Sequence, residues 1–176
     1  CKYDKVDILD WCINYNVFPT VNMINIAAQN GNLNVIKCAA EHKILPTSIG
    51  SELALKNKHI DVVLWIKTQY GITPANLCID HIIDNKWFKE LSILLENAIG
   101  PSSNDYQEVV ELNNKEIIEV FLRYNHKPDY HAIDVAIIND NDEILNLFEQ
   151  YNIKIDYYNV RQAVQVGNIK LLERFA

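Results

Sequence analysis

The chain contains five prolines, and they stand at Pro19, Pro46, Pro74, Pro101 and Pro128, so the gaps between them are 27, 28, 27 and 27 residues. Proline lacks a backbone donor, and its ring excludes the residue before it from the helical region, so each one interrupts regular structure. Interruptions at equal intervals divide the chain into equal segments. Equal segments are what a repeat array requires, because each unit buries its apolar face against the next. A bundle of a few amphipathic hairpins places no such condition on its prolines.

The columns that share this phase define the unit. Twelve residues beyond each proline stand Gly31, Lys58, Lys86, Asn113 and Asp140, and the same step from Ile155 reaches Gly167. Glycine, asparagine and aspartate tolerate the left-handed conformation that ends a helix. Four residues later an aliphatic pair recurs, as Ile8, Val35, Val62, Glu90, Ile117, Ile144 and Leu171, then Leu9, Ile36, Val63, Leu91, Ile118, Leu145 and Leu172. Four residues before the turn, mostly small side chains recur as Ala27, Ala54, Ile82, Val109, Ala136 and Ala163. Each unit therefore predicts two helices. The first, such as Met23 to Asn30, carries Ile24, Ala27 and Ala28 on one face. The second starts after an N-cap at Asn32, Asn114, Asn141 or Asn168 and is expected to end before the proline. Val17, Ile44, Ile72 and Ile99 should return the connector to the core, and Trp11 and Trp65, in one second-helix column, should pack between units. The single extra residue falls between Leu64 and Pro74, near Gly71. Small residues in the first helix and larger ones in the second let hairpins stack as wedges into a curved solenoid.

The stretch AAQNGNLNVIKCAAEHKI resembles an ankyrin repeat, with its Ala-Ala, polar pair, turn and aliphatic pair before a second helix. LALKNKHIDVVLWIKTQYGI and AVQVGNIKLLERF look similar. The resemblance covers the whole chain, residues 1–176, as one repeat domain: a half unit over 1–19, then units of about 27 residues. Two departures qualify it. Asn22-Met23-Ile24-Asn25 stands where the family opens its first helix with Thr-Pro-Leu-His, and the period falls about six residues short of 33. The resemblance thus implies an all-α ankyrin-like solenoid of helical hairpins with short loops and little or no strand. Short arrays rich in isoleucine and asparagine look like those encoded by large DNA viruses of amoebae.

Function classes narrow by exclusion. A net charge of −7 opposes a nucleic-acid footprint, which needs a basic patch. No apolar run approaches the roughly 18 residues of a membrane span, and no signal peptide opens the chain. Cys1, Cys12, Cys38 and Cys78 lack disulfide or zinc spacing and read as reduced, in an intracellular, cytoplasmic or nuclear setting that includes a host cell or virion. Cys78 and His81 share a helix face, with His126 and His131 elsewhere, but no tight cluster of three or four metal ligands forms. His81 reads as a structural histidine in the column of Ile26, Leu53 and Val135. No phosphate loop, nucleophile elbow or His-Glu-x-x-His stretch occurs, so neither catalytic residues nor a cofactor is expected.

What remains is surface. The outward first-helix columns read Asn25, Glu52, Asp80, Gln107, Asp134 and Arg161, then Gln29, Lys56, Asp84, Glu111, Ile138 and Gln165. In ankyrin-like stacks this row lines the concave side, where partners bind. Asp80, Asp84, Glu111 and Asp134, flanked by Glu52 and Gln107, would form an acidic stripe there for a basic protein partner. A merely solvated face is the competing reading of the same charges. The competing function is a structural component of a larger assembly such as a virion. A chain that opens at Cys1 in a second helix and stops at Phe175-Ala176 in another is expected to continue in both directions.

Overall fold

Four of the five prolines, Pro19, Pro46, Pro101 and Pro128, stand one residue ahead of a helix N-cap. The computed structural model describes residues 6–173, and among them the chain forms thirteen helices and no strand. The first helices of the units are α2 (Val21–Gln29), α4 (Ser48–Lys56), α6 (Ile79–Asn85), α8 (Ser103–Glu111), α10 (Tyr130–Ile138) and α12 (Tyr157–Val166). The second helices are α1 (Val6–Asn14), α3 (Leu33–Glu41), α5 (Ile60–Tyr70), α7 (Phe88–Glu96), α9 (Lys115–Arg123), α11 (Asp142–Gln150) and α13 (Ile169–Glu173). Thr20, Thr47, Ser102 and Asp129 follow prolines directly and are N-caps of α2, α4, α8 and α10, and Asp156 follows Ile155 as the N-cap of α12. Proline's fixed φ sets the approach to the cap, whose oxygen accepts an orphan N–H of the first turn at Thr20, Ser102, Asp129 and Asp156, while the Thr47 hydroxyl meets Asn25 instead. The third repeat shows what happens without the cap. Ala75 follows Pro74 and has no oxygen to offer, and α6 starts late, at Ile79, behind a left-handed Cys78 (φ 55°).

Nearly every described helix before α13 ends the same way. The expected turn column is left-handed throughout: Gly31, Lys58, Lys86, Asn113, Asp140 and Gly167, with φ between 50° and 71°. A second left-handed column closes the second helices, at Asn16, Lys43, Gly71, Ala98, Asn125 and Asn152. In the first helices the N–H three places past the end reaches back to the small-residue column, as in Asn32 to Ala27 O at 2.9 Å and Asn141 to Ala136 O at 2.9 Å. This is the Schellman closure, and it explains why that column lies at one distance from each turn. The asparagine in it also serves the next helix. Asn114, Asn141 and Asn168 close one helix with the backbone and cap the following one with the side chain, accepting from Ile117, Ile144 and Leu171. In α1, α3, α7 and α9 the closing N–H belongs to the residue two before the proline, Val17, Ile44, Ile99 or His126, as in Ile99 to Leu94 O at 2.9 Å.

The chain divides into two compact units, Cys1–Ile99 and Gly100–Ala176. In the first, α2 packs on α3 and α4, α4 on α5, α1 on α3 and α5 on α7. In the second, α8 packs on α9 and α10, α10 on α11 and α12, and α12 on α13. First helices thus stack on first helices within each unit. The predicted core columns meet in these seams: Ala27, Ala54, Ile82, Val109, Ala136 and Ala163 are 0% exposed, as are Ile36, Val63, Leu91, Ile118 and Leu145. In the second unit Tyr106 rests on Phe121 with ring centroids 5.1 Å apart. The extra residue is absorbed by α5, which runs to 11 residues where its counterparts run to 9.

Three expectations for the core fail at one place. Ile8, Trp11 and Val17 are 57%, 60% and 59% exposed, although Val35 and Val62, the counterparts of Ile8, are buried. The described residues supply no first helix for the unit to which α1 belongs, so these side chains have no neighbour to pack on, and Trp11 lies against Tyr15 instead. Trp65 is half-buried, with Tyr70 edge-on and the Lys37 ammonium 5.9 Å over its ring. Glu90, the polar intruder in an aliphatic column, is held by Lys58 at 2.9 Å, which keeps its carboxyl below the ordinary range. No described helix is long and apolar enough to cross a membrane, and the expectation about Phe175-Ala176 lies outside the described residues.

Candidate interaction surface

The outward row of the first unit begins with a correction. Asn25 faces inward and is 6% exposed. Its Oδ1 accepts the Thr47 N–H at 2.9 Å, and its Nδ2 donates to Thr47 Oγ1 at 3.1 Å. The amide fastens α2 to the N-cap of α4, over a Gly50 whose missing Cβ leaves room for it. A polar residue in an outward column is therefore no guide to exposure when its partner is the next unit's cap.

The remaining residues of that row do reach solvent. Glu52 pairs with Lys56 at 3.0 Å along α4, and that hydrogen bond raises the lysine's pKa. Asp80 accepts the His81 N–H at 2.8 Å and lies 3.1 Å from its Nδ1. The hydrogen bond from the His81 ring holds the Asp80 carboxyl below its usual range, with Lys56 contributing. Glu52, Lys56 and Asp80 thus form one mixed-charge patch, and Asp84 lies one turn further along α6, exposed. His81 is half-exposed, and its column is not a core column, since Ile26 is 40% exposed. The described residues contain no group of three His, Cys, Asp or Glu side chains able to hold a metal ion.

In the second unit Glu111 is exposed at the end of α8, and Gln107 donates to Ser103 Oγ at 3.2 Å. Asp134 is half-buried and committed in part: its Oδ1 accepts from Asn159 Nδ2 at 2.7 Å. Asn159 is 1% exposed, and it also donates to Tyr130 O and accepts the Asp156 N–H, tying α10 to α12. At this seam lies a groove of about 580 Å³, lined by Tyr130, Asp134, Asp156, Tyr158, Arg161, Gln162 and Gln165. The sequence placed Asp134 and Arg161 in one column but gave no weight to the tyrosines. Their signal was a tyrosine at positions where the earlier units hold Val21, Ser48, Asn76 and Ser103, or Asn22, Ile49, Leu77 and Asn104.

Charge is distributed unevenly between the units. Residues 1–99 carry ten acidic and nine basic side chains, whereas residues 100–176 carry thirteen acidic and seven basic ones. The second unit therefore accounts for almost all of the net charge. Comparison of the chain with protein-family models, curated proteins and solved structures finds no match in any of the three.

Proposed function

We propose that the chain is a non-catalytic protein-interaction module, an ankyrin-like solenoid that binds a basic protein partner on its first-helix row. The observation that carries this reading is the contrast between neighbouring columns. The Ala27 and Ile36 columns are small or aliphatic and buried in every complete unit, while the outward columns between Glu52 and Gln165 vary in size and charge and reach solvent. Side chains released from packing are available for recognition, and within each unit stacked first helices bring such side chains next to one another. Cys12, Cys38 and Cys78 form no disulfide among the described residues, which suits an intracellular module.

The test is a matched pair of charge reversals. Asp80→Lys, Asp84→Lys and Glu111→Lys together change the first-helix row, and Asp7→Lys, Asp61→Lys and Glu116→Lys change exposed second-helix positions. Exposed charges contribute little to folding, so both triples should melt within a degree or two of the parent. Partner capture should be lost in the first triple and retained in the second; the reverse pattern moves the binding surface off this row.

A structural role in a larger assembly is the second reading, and exposed apolar side chains inside the array favour it. Ile49, Leu112 and Ile138 are 63%, 55% and 51% exposed. Concentration-dependent sedimentation that collapses in Ile49→Glu or Ile138→Glu supports assembly through these faces.

A further inference from the structure

We propose that the groove between α10 and α12 receives a lysine or arginine side chain of an extended partner segment, held between Tyr130 and Tyr158 and neutralised by Asp134. This rests on reading the chain as a binding module, and it names the partner's chemistry at one place on it.

The groove runs along the facing sides of α10 and α12. Tyr130 opens α10, and Asp134 follows one turn later on the same side. Tyr158, Arg161, Gln162 and Gln165 follow one another at helical spacing along α12. Tyr130 and Tyr158 are 53% and 69% exposed, so both rings present apolar surface to water without contributing to the core. Tyr130 shares its column with Tyr157, where the other units hold Val21, Ser48, Asn76 and Ser103, and the Tyr158 column holds Asn22, Ile49, Leu77, Asn104 and His131. Tyrosines at these solvent-facing positions belong to the last two units and answer to no packing demand that the earlier units share.

The carboxylate is held in place from below. Asn159, buried beneath the seam, fixes Asp134 Oδ1 at 2.7 Å and is itself positioned by the Asp156 N–H at 3.2 Å. One oxygen of Asp134 is thereby occupied and the carboxylate oriented, while the second can accept from a ligand. Asp156 differs, because its Oδ1 is spent on the N–H groups of Tyr158 and Asn159 at 2.9 and 3.1 Å. A cation over the face of a tyrosine and beside an oriented carboxylate is attracted by both. The surplus of six acidic side chains in residues 100–176 adds long-range attraction for a basic segment. The volume of about 580 Å³ lies within the range of ligand clefts, enough for a long side chain with its flanking backbone, which the Gln162 and Gln165 amides can meet. Arg161 is the one fixed cation in the lining. It opposes a basic occupant and would attract an acidic one, so reversing its charge reports the sign of the ligand.

The experiment is an amide-resolved NMR titration of the isotopically labelled chain with acetyl-Gly-Ser-Arg-Ser-Gly-amide and, separately, its glutamate counterpart. The arginine peptide should shift Tyr130, Asp134, Tyr158 and Gln162 saturably, and the glutamate peptide should leave them unmoved. Tyr158→Ala should weaken the arginine peptide about fivefold and Tyr158→Phe should restore it, since the ring face and not the hydroxyl makes the contact. Arg161→Glu should tighten the arginine peptide severalfold. Melting temperatures within a degree or two of the parent show that these exposed replacements leave the fold intact. Binding of the glutamate peptide that disappears in Arg161→Glu overturns the proposal in favour of an anion site. Absence of any response in the groove overturns it too, and shifts confined to Asp80 and Asp84 would then place recognition elsewhere on a module that still binds. Saturable shifts unaffected by Tyr158→Ala also sink the tyrosine clamp.

Discussion

Replacing Ala98 by glycine should stabilise this protein, against the ordinary cost of adding a glycine. Ala98 closes α7 at φ 56° and is exposed, so its methyl group brings no packing to that position. An L-residue in the left-handed region costs about 1–2 kcal/mol relative to glycine. Removing the Cβ also frees the unfolded chain, which costs about 0.4–1 kcal/mol. The balance is a gain of about 0.5–1 kcal/mol, and at this chain length each kcal/mol moves the melting temperature by about 2–4 °C. The reverse change calibrates it. Gly71 occupies the same column at φ 68°, and an added Cβ meets nothing within 4 Å, so Gly71→Ala should lose about what Ala98→Gly gains. Gly31→Ala should lose more, because its Cβ would lie 2.5 Å from Nδ1 and 2.6 Å from Cε1 of the His59 ring. Adding His59→Ala should return that excess and leave the conformational part. Urea unfolding followed by far-UV circular dichroism, compared at constant slope, measures all four. A loss of about 0.5–1 kcal/mol in Ala98→Gly, the usual effect within a helix, would refute the left-handed assignment and with it the second closing column.

Four further outcomes are expected. Ser51 is fully buried with a hydroxyl that finds no partner among the described residues, so Ser51→Ala should raise stability by about 1 kcal/mol in the same urea assay. Ala75→Thr should supply the missing N-cap after Pro74, lengthening α6 toward Asn76 and adding about 1 kcal/mol, visible as new helical chemical shifts at residues 76–78. Burial lowers the pKa of His126 below its ordinary 6.5, so the folded state binds fewer protons than the unfolded one. Its contribution is present above pH 6.5 and drains away as pH falls from there through the lowered value, and His126→Gln should flatten the stability profile in that window alone. The Cys38 thiol is buried and donates to Asp10 at 2.9 Å, and burial first, then that hydrogen bond, pushes it up to about 12. Iodoacetamide at neutral pH should therefore modify Cys12 well before Cys38, as read by peptide mass mapping.

The fold was legible wherever one residue type answered one physical demand at a fixed distance. The phase of Pro19, Pro46, Pro74, Pro101 and Pro128 gave the unit length, and the Gly31 column gave the first left-handed turn. The second helices do end before the prolines, and what closes them is the left-handed column at Asn16, Lys43, Gly71, Ala98, Asn125 and Asn152 rather than the proline itself. That column mixes lysine, alanine and glycine with asparagine, so composition conceals what the backbone repeats. The caps, by contrast, were open to view. Thr20, Thr47, Ser102, Asp129 and Asp156 all hold a side-chain oxygen at one place in the unit, and Ala75 is the lone exception where the helix fails to start.

The surface was less legible, and the reason lies in how repeats divide their labour. A periodic column reports what every unit needs, which is packing, closure and capping. Binding to a particular partner is needed once, so it resides in departures from the period, where a single sequence offers no second copy for comparison. Asn25 and Asp134 show the confusion this causes. Both stand in the outward column, yet Asn25 holds the N-cap of α4 and Asp134 is held by Asn159 from the next first helix. A polar side chain 22 or 25 residues from its partner carries no mark in the sequence that separates fastening from recognition. The tyrosines at Tyr130 and Tyr158 do carry one, because a large ring that stays 53% or 69% exposed loses burial free energy that the serine or asparagine of earlier units would never have gained. That uncollected apolar area beside the oriented carboxylate of Asp134 places the search for a partner in the seam of α10 and α12.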